Sequence, residues 1–185
     1  KNHRPRKILR HKLGTKSKHD ELIFEEKSEA FTVGISLSSD EKYFFITTSD
    51  HNTSEQYYFD VDEKEPMPKL IKERKKGILY SVNSWNRKFY NHTNEDAEDF
   101  KIDVTEDLDN QDWKTFIPAK DEVLIGGLTF LNNWVIRSET SNALDKLFVR
   151  NVLTEKEEEL IFSDEDVYVP GISLIQRNKN TDKIY

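Results

Sequence analysis

The chain has 185 residues, of which 35% are hydrophobic and 34% charged, and its net charge is −7. That length suits one ordinary domain, and 3 Trp, 7 Tyr and 11 Phe supply enough bulky apolar surface to exclude a disordered chain. The absence of Cys excludes disulfides and thiolate metal sites and fits a reducing compartment, the cytoplasm.

The chain starts on Lys1 with no apolar leader after it, so it is expected to be cut from a longer protein. No run approaches the roughly 18–20 apolar residues that cross a bilayer as a helix. Between Lys1 and His19 stand eight cations and no acid, which leaves a charge of −15 on the remaining residues. A basic arm of this kind can bind nucleic acid, but no aromatic residues interleave for base stacking, and Ile8, Leu9 and Leu13 have strand spacing. The expectation is a solvated basic hairpin with strands over Arg6–Leu13 and Glu21–Glu26, and no nucleic-acid or membrane partner.

Short apolar segments of strand length follow, separated by turn-forming clusters such as Ser-Ser-Asp-Glu and Asp-Asn-Gln-Asp. The first set is Phe31–Leu37, Tyr43–Thr48, Gln56–Val61 and Lys69–Lys72. The second is Ile78–Trp85, Lys88–His92, Phe100–Val104 and Trp113–Ile117, and the third is Val123–Phe130, Trp134–Glu139, Lys146–Leu153 and Glu158–Phe162. No amphipathic helix longer than two turns is legible.

Repetition is the stronger signal. A strand ending in Asp-Val or Asn-Val recurs at Asp60-Val61, Asp103-Val104 and Asn151-Val152, at spacings of 43 and 48 residues. Each is followed by a strand containing Ile, namely Ile71, Ile117 and Ile161, spaced by 46 and 44 residues. Four strands per unit with a period in the mid-forties is the pattern of a propeller blade. A β-sandwich gives turns at similar intervals but no such recurring unit. The expected fold is therefore all-β, a partial β-propeller. Blade remnants occupy residues 1–30, whole four-stranded antiparallel blades about 31–73, 78–118 and 123–162, and the start of another blade 167–185. Three whole blades are too few to close a ring.

The chain offers little for catalysis. Gly34-Ile35-Ser36-Leu37 and Gly171-Ile172-Ser173-Leu174 lack the second Gly of a nucleophile elbow and lie inside strands, so both serines are expected to pack. The five His residues form no ligand pair, and the acidic pairs at Asp60-Val61-Asp62 and Asp164-Glu165-Asp166 lack calcium-loop spacing. Gly126-Gly127 is not followed by the Lys-Ser or Lys-Thr of a phosphate loop, and the sequons at Asn52 and Asn91 are expected to be incidental. No catalytic residue, metal or cofactor is expected within these residues.

Arg4-Pro5, Arg10-His11 and Leu13-Gly14-Thr15, then Leu22, Glu25-Glu26, Phe31, Val33-Gly34 and Thr53-Ser54-Glu55, resemble the prolyl oligopeptidase family of serine peptidases in its oligopeptidase B branch. Trp113, Ile117-Pro118, Asp121, Val123 and Val167-Tyr168-Val169 continue the resemblance, while Ala119-Lys120, Glu139-Thr140 and Ala143 depart from the family pattern. The resemblance implies a propeller seated on a C-terminal α/β-hydrolase domain that holds the catalytic residues. It also implies a parent that cuts short peptides after Arg or Lys, with the propeller restricting entry. Short basic peptides would then be the parent's substrate, and Glu55, Asp99 and Glu139 are the carboxylates that could face its cavity. Solvated outer turns are the competing assignment for these three, and a free-standing module that binds a protein or peptide is the alternative function.

Overall fold

A computed structural model of the chain describes residues 4–161, 170 and 180–183. The expectations for Phe162, Asp164-Glu165-Asp166, Val167-Tyr168-Val169, Gly171–Leu174 and the blade start at 167–185 fall mostly or wholly outside these residues.

β1 (Lys7–Arg10) and β2 (Glu21–Glu25) pair as an antiparallel ribbon. Three antiparallel four-stranded sheets follow. The first holds β3 (Thr32–Leu37), β4 (Tyr43–Ser49), β5 (Ser54–Asp60) and β6 (Lys69–Lys72). The second holds β7 (Tyr80–Trp85), β8 (Lys88–Thr93), β9 (Lys101–Thr105) and β10 (Lys114–Ile117). The third holds β11 (Leu124–Phe130), β12 (Trp134–Ser141), β13 (Leu144–Asn151) and β14 (Glu157–Glu159). Strands neighbour one another in chain order within every sheet, so each sheet is a meander. Among the described residues the only helical segment is a 3-10 turn at Ser17–His19.

Local chemistry explains the tightest turns. Trp85 pairs with Lys88 and Ser141 with Leu144, leaving the two-residue connections Asn86-Arg87 and Asn142-Ala143. All four residues have φ between 50° and 63°, the left-handed pair that matches the twist of a hairpin, and Asn at the first position tolerates it. Elsewhere the sequence misleads. The strand spacing puts Leu13 at a strand end, but it is 90% exposed, because Gly14 at φ 84° and the Thr15 N–H bond to Lys12 O turn the chain there. Ser36, expected to pack, is exposed in β3.

The hydrophobic core is divided into three slabs, each between consecutive sheets. Val33, Ile46 and Phe59 pack against Ile8, Ile23 and Phe24 of the ribbon. Phe45 and Ile71 meet Tyr80, Val82 and Phe89 between the first and second sheets. Trp85, Tyr90 and Ile102 meet Ile125, Phe130 and Val135 between the second and third. Strand alternation builds this arrangement: Phe44 and Ile46 leave one face of β4 while Tyr43 and Phe45 leave the other. A sandwich would bury one slab between two sheets, whereas successive slabs between single sheets are the stacking of propeller blades. The fold is a partial, unclosed β-propeller.

A meander stack has two rims. The connections from second to third strands and from sheet to sheet emerge at one rim, and the remaining hairpins at the other. Glu26, Glu55, Arg74, Asp99, Lys120 and Glu139 all belong to the first rim or the strand ends beside it.

Candidate functional site: buried carboxylates along one rim

Glu55 is the second residue of β5 and shares a face with Tyr57, so its side chain enters the seam with the ribbon. It is 5% exposed. Tyr57 donates its hydroxyl to Glu55 Oε1 at 2.7 Å, and the Arg74 backbone N–H donates to Oε2 at 3.0 Å. The Arg74 guanidinium bridges Glu55 at 3.7 Å and buried Glu26 at 3.1 Å while lying 4.2 Å from the centre of the Phe31 ring. Burial alone would raise the Glu26 pKa, but bonds from the Ser28 N–H and Arg74 outweigh it, so the carboxyl lies below its ordinary value. Burial would likewise lower Arg74, yet Glu26 and Glu55 hold it above its ordinary value.

Glu139 occupies the equivalent seam between the second and third sheets. Val135, Arg137 and Glu139 alternate onto one face of β12, and Val135 of that set belongs to the core slab. Lys120 Nζ donates to both Glu139 oxygens at 2.7 and 2.9 Å, and Arg137 donates from Nη2 and Nε at 2.7 and 3.0 Å. Arg137 also binds Glu157 and stacks 4.6 Å from the centre of the Phe148 ring. Burial opposes ionisation of Glu139, but Lys120 and Arg137 prevail and lower its pKa.

Asp99 lies in the connection between β8 and β9 and is half-buried. Its carbonyl accepts the Ile125 N–H at 2.9 Å, tying the second sheet to the third. Among the described residues its carboxylate makes no ion pair. All three sequence-derived carboxylates thus lie on one rim, Glu55 in the seam between the ribbon and the first sheet and Asp99 and Glu139 beside the seam between the second and third. Glu95, on the same rim, pairs with Lys72 and Lys75, whose hydrogen bonds lower its pKa.

Sequence reasoning missed Glu26, Arg74, Lys120 and Arg137. Only Arg137 carried a signal, a charge on the same strand face as core Val135. It also missed His92, which alternates with core Tyr90 on β8. The His92 Nε2–H donates to Ile125 O at 2.7 Å, and the ring stacks on Phe100 with centroids 4.6 Å apart. Burial lowers its pKa and that bond only partly offsets the effect. A cavity of about 180 Å³ opens beside it, lined by Ser81, Asn83, Tyr90, His92, Gly127 and Leu128.

The chemistry along this rim is that of anchored ion pairs. Among the described residues no serine hydroxyl is hydrogen-bonded to a histidine.

The family model described as the prolyl oligopeptidase N-terminal β-propeller domain matches residues 1–185. Protease 2 of Moraxella lacunata is 36% identical over 136 residues, which is 67% of this chain and 20% of that protein. Dipeptidyl aminopeptidase BI of Pseudoxanthomonas mexicana is 26% identical over 171 residues, covering 91% of this chain and 23% of that protein. Among solved structures, oligopeptidase B of Trypanosoma brucei superposes with a TM-score of 0.82 at 24% identity, covering 91% of this chain and 25% of that one. Oligopeptidase B of Leishmania major gives 0.79 at 17% identity, covering 87% and 24%. The chain therefore spans about a quarter or less of the length of these relatives.

Proposed function

The chain belongs to the prolyl oligopeptidase N-terminal β-propeller family, and from that premise we propose that it forms part of the lid and substrate filter of a cytoplasmic serine endopeptidase of the oligopeptidase B kind. The parent cleaves short peptides after Arg or Lys, with its catalytic residues on a C-terminal α/β-hydrolase domain. The blade limits are those expected from the repeat, about 31–73, 78–118 and 123–162. The observation that carries this reading is the run of stacked sheets clamped along one rim by buried carboxylate–cation sets. A filter needs an opening of fixed shape, and ion pairs that lock sheet to sheet supply that rigidity.

In this reading Glu55 and Glu139 hold the seams and shape the rim, while Asp99, whose carboxylate has no charged partner among the described residues, meets the cationic peptide. The charge of −15 beyond His19 draws such peptides in by long-range attraction.

The experiment is peptidase kinetics on the full-length protein over a salt series. The expected result is cleavage of short Arg- and Lys-containing peptides, with kcat/KM falling as ionic strength rises, and no cleavage of long unfolded polypeptides. Indifference to salt would exclude steering, and equal rates on long chains would exclude the filter.

A further inference from the structure

The basic stretch at the start of the chain has no part in the function above, and it lies on the opposite rim. Its base is neutralised: Lys7 pairs with Glu25 at 3.2 Å, Arg10 with Glu21 at 2.6 Å and His11 with Asp20 at 2.6 Å. Its tip is not. Lys12, Lys16 and Lys18 are exposed and make no ion pair among the described residues, and Leu13 between them is 90% exposed. Nor is the tip slack, because the Thr15 N–H and hydroxyl both bond Lys12 O, at 3.1 and 2.6 Å, and Ser17–His19 adds a 3-10 turn.

The same rim carries a pocket suited to such a tip. A cavity of about 260 Å³ lies beside the β5–β6 connection, lined by Tyr43, Tyr58, Asp60, Glu63, Met67 and Lys69, so that two carboxylates face one cation there. The two tyrosine rings stand edge to face with centroids 6.1 Å apart, and Met67 is 75% exposed. Carboxylates beside aromatic faces and a thioether take the ammonium and the aliphatic stem of a lysine together. Lys69, 6.0 Å from the Tyr58 centroid, already takes that kind of position.

We propose that the occupant is the hairpin tip of a second copy of this chain. Arg10 Nη2 donates to Lys64 O at 2.8 Å, so the base of the hairpin abuts the connection that forms the pocket. A two-fold axis beside that contact lays each tip over the other copy's pocket, making two identical contacts at once. Charge favours a protein partner over nucleic acid: Asp60, Asp62, Glu63 and Glu65 on the same rim repel phosphates and attract lysines. The inference does not rest on the peptidase reading, and peptidase assays score that reading separately.

Sedimentation velocity of the full-length protein at low and high salt tests it. The expected result is a concentration-dependent dimer weakened by salt. The triple variant K12E/K16E/K18E and the double variant E63K/E65K should each weaken self-association about tenfold or more. Mixing the two should restore dimers, because both contacts then join opposite charges. All five substituted residues are exposed, so unchanged thermal midpoints control for folding. The inference is overturned if the protein is monomeric throughout, if both variants dimerise like the parent, or if the mixture fails to recover. It is also overturned if a lysine-rich peptide binds the monomer through Glu63 without any dimer forming.

Discussion

Arg137 and Glu139 stand two residues apart on β12, with Nη2 of the first 2.7 Å from Oε1 of the second and both side chains buried. The spacing of two puts them on one strand face, and that face meets the second sheet. This pair, with Lys120 and Glu157, makes the seam polar at one rim and apolar below it.

Removing Arg137 leaves buried Glu139 with only the partly exposed Lys120 as counter-ion and takes the cation from Glu157. Arg137→Ala should destabilise the fold by about 3–5 kcal/mol. The double variant Arg137→Met/Glu139→Met should lose much less, because both buried charges are gone and the partners left, Lys120 and Glu157, are partly exposed to water. Urea midpoints of the full-length protein measure both. Since the folded-state pKa of Glu139 lies below its ordinary value of 4.5, its stabilisation is complete above that range and is lost as pH falls through the folded value. Glu139→Gln should therefore flatten the acid limb of a stability-against-pH curve.

His92 gives a second acid sensitivity in the neighbouring part of the same seam. Its folded pKa lies below the ordinary 6.5, so the unfolded chain binds the extra proton first. Stability from this residue is complete above 6.5 and falls as pH drops from there towards the folded value. Denaturation curves between neutral and mildly acidic pH should show that loss, and His92→Asn should remove this part of the pH dependence.

Gly126 and Gly127 are adjacent in β11 and should respond oppositely to a methyl group. A Cβ on Gly126 would lie 2.0 Å from Ser138 Oγ and 3.1 Å from Ser138 O, and the latter is backbone that cannot rotate away. A Cβ on Gly127 meets nothing within 4 Å. Gly126→Ala should cost about 1–3 kcal/mol through overpacking, whereas Gly127→Ala should change stability by less than about 0.5 kcal/mol. Thermal midpoints of the two variants make the comparison.

Ile102 is 0% exposed, within the slab between the second and third sheets. Ile102→Ala should cost about 2–5 kcal/mol through lost transfer energy and the cavity left behind. Leu13→Ala, at a position 90% exposed, should fall within about 0.5 kcal/mol of neutral. Equal effects would mean that the slab is not the core.

Much of the fold was legible because it is written in local periodicities. The run Tyr43-Phe-Phe-Ile46 gives β4 two apolar faces, and only an element buried on both sides needs that. The mid-forties recurrence ending at Val61, Val104 and Val152 counted the sheets. The strand limits shifted where turn chemistry overrode hydrophobicity. Leu13 left the strand because Gly14 turned the chain, and Ser141 joined β12 because Asn142-Ala143 closes a two-residue hairpin.

The rim shows the other limit. Glu55, Asp99 and Glu139 could be named as acids near strand ends, but nothing local distinguishes a solvated glutamate from one that is 5% exposed. Glu26 meets Arg74 only because the ribbon packs on the first sheet, and Glu139 meets Lys120, which precedes β11, only once the chain has folded back on itself. Sequence alone determined strand content, repeat and charge distribution, since these depend on neighbours along the chain. Tertiary structure alone decided which charges are buried and paired, since partners separated by 19 to 48 residues come within bonding distance only when strands pair and sheets stack.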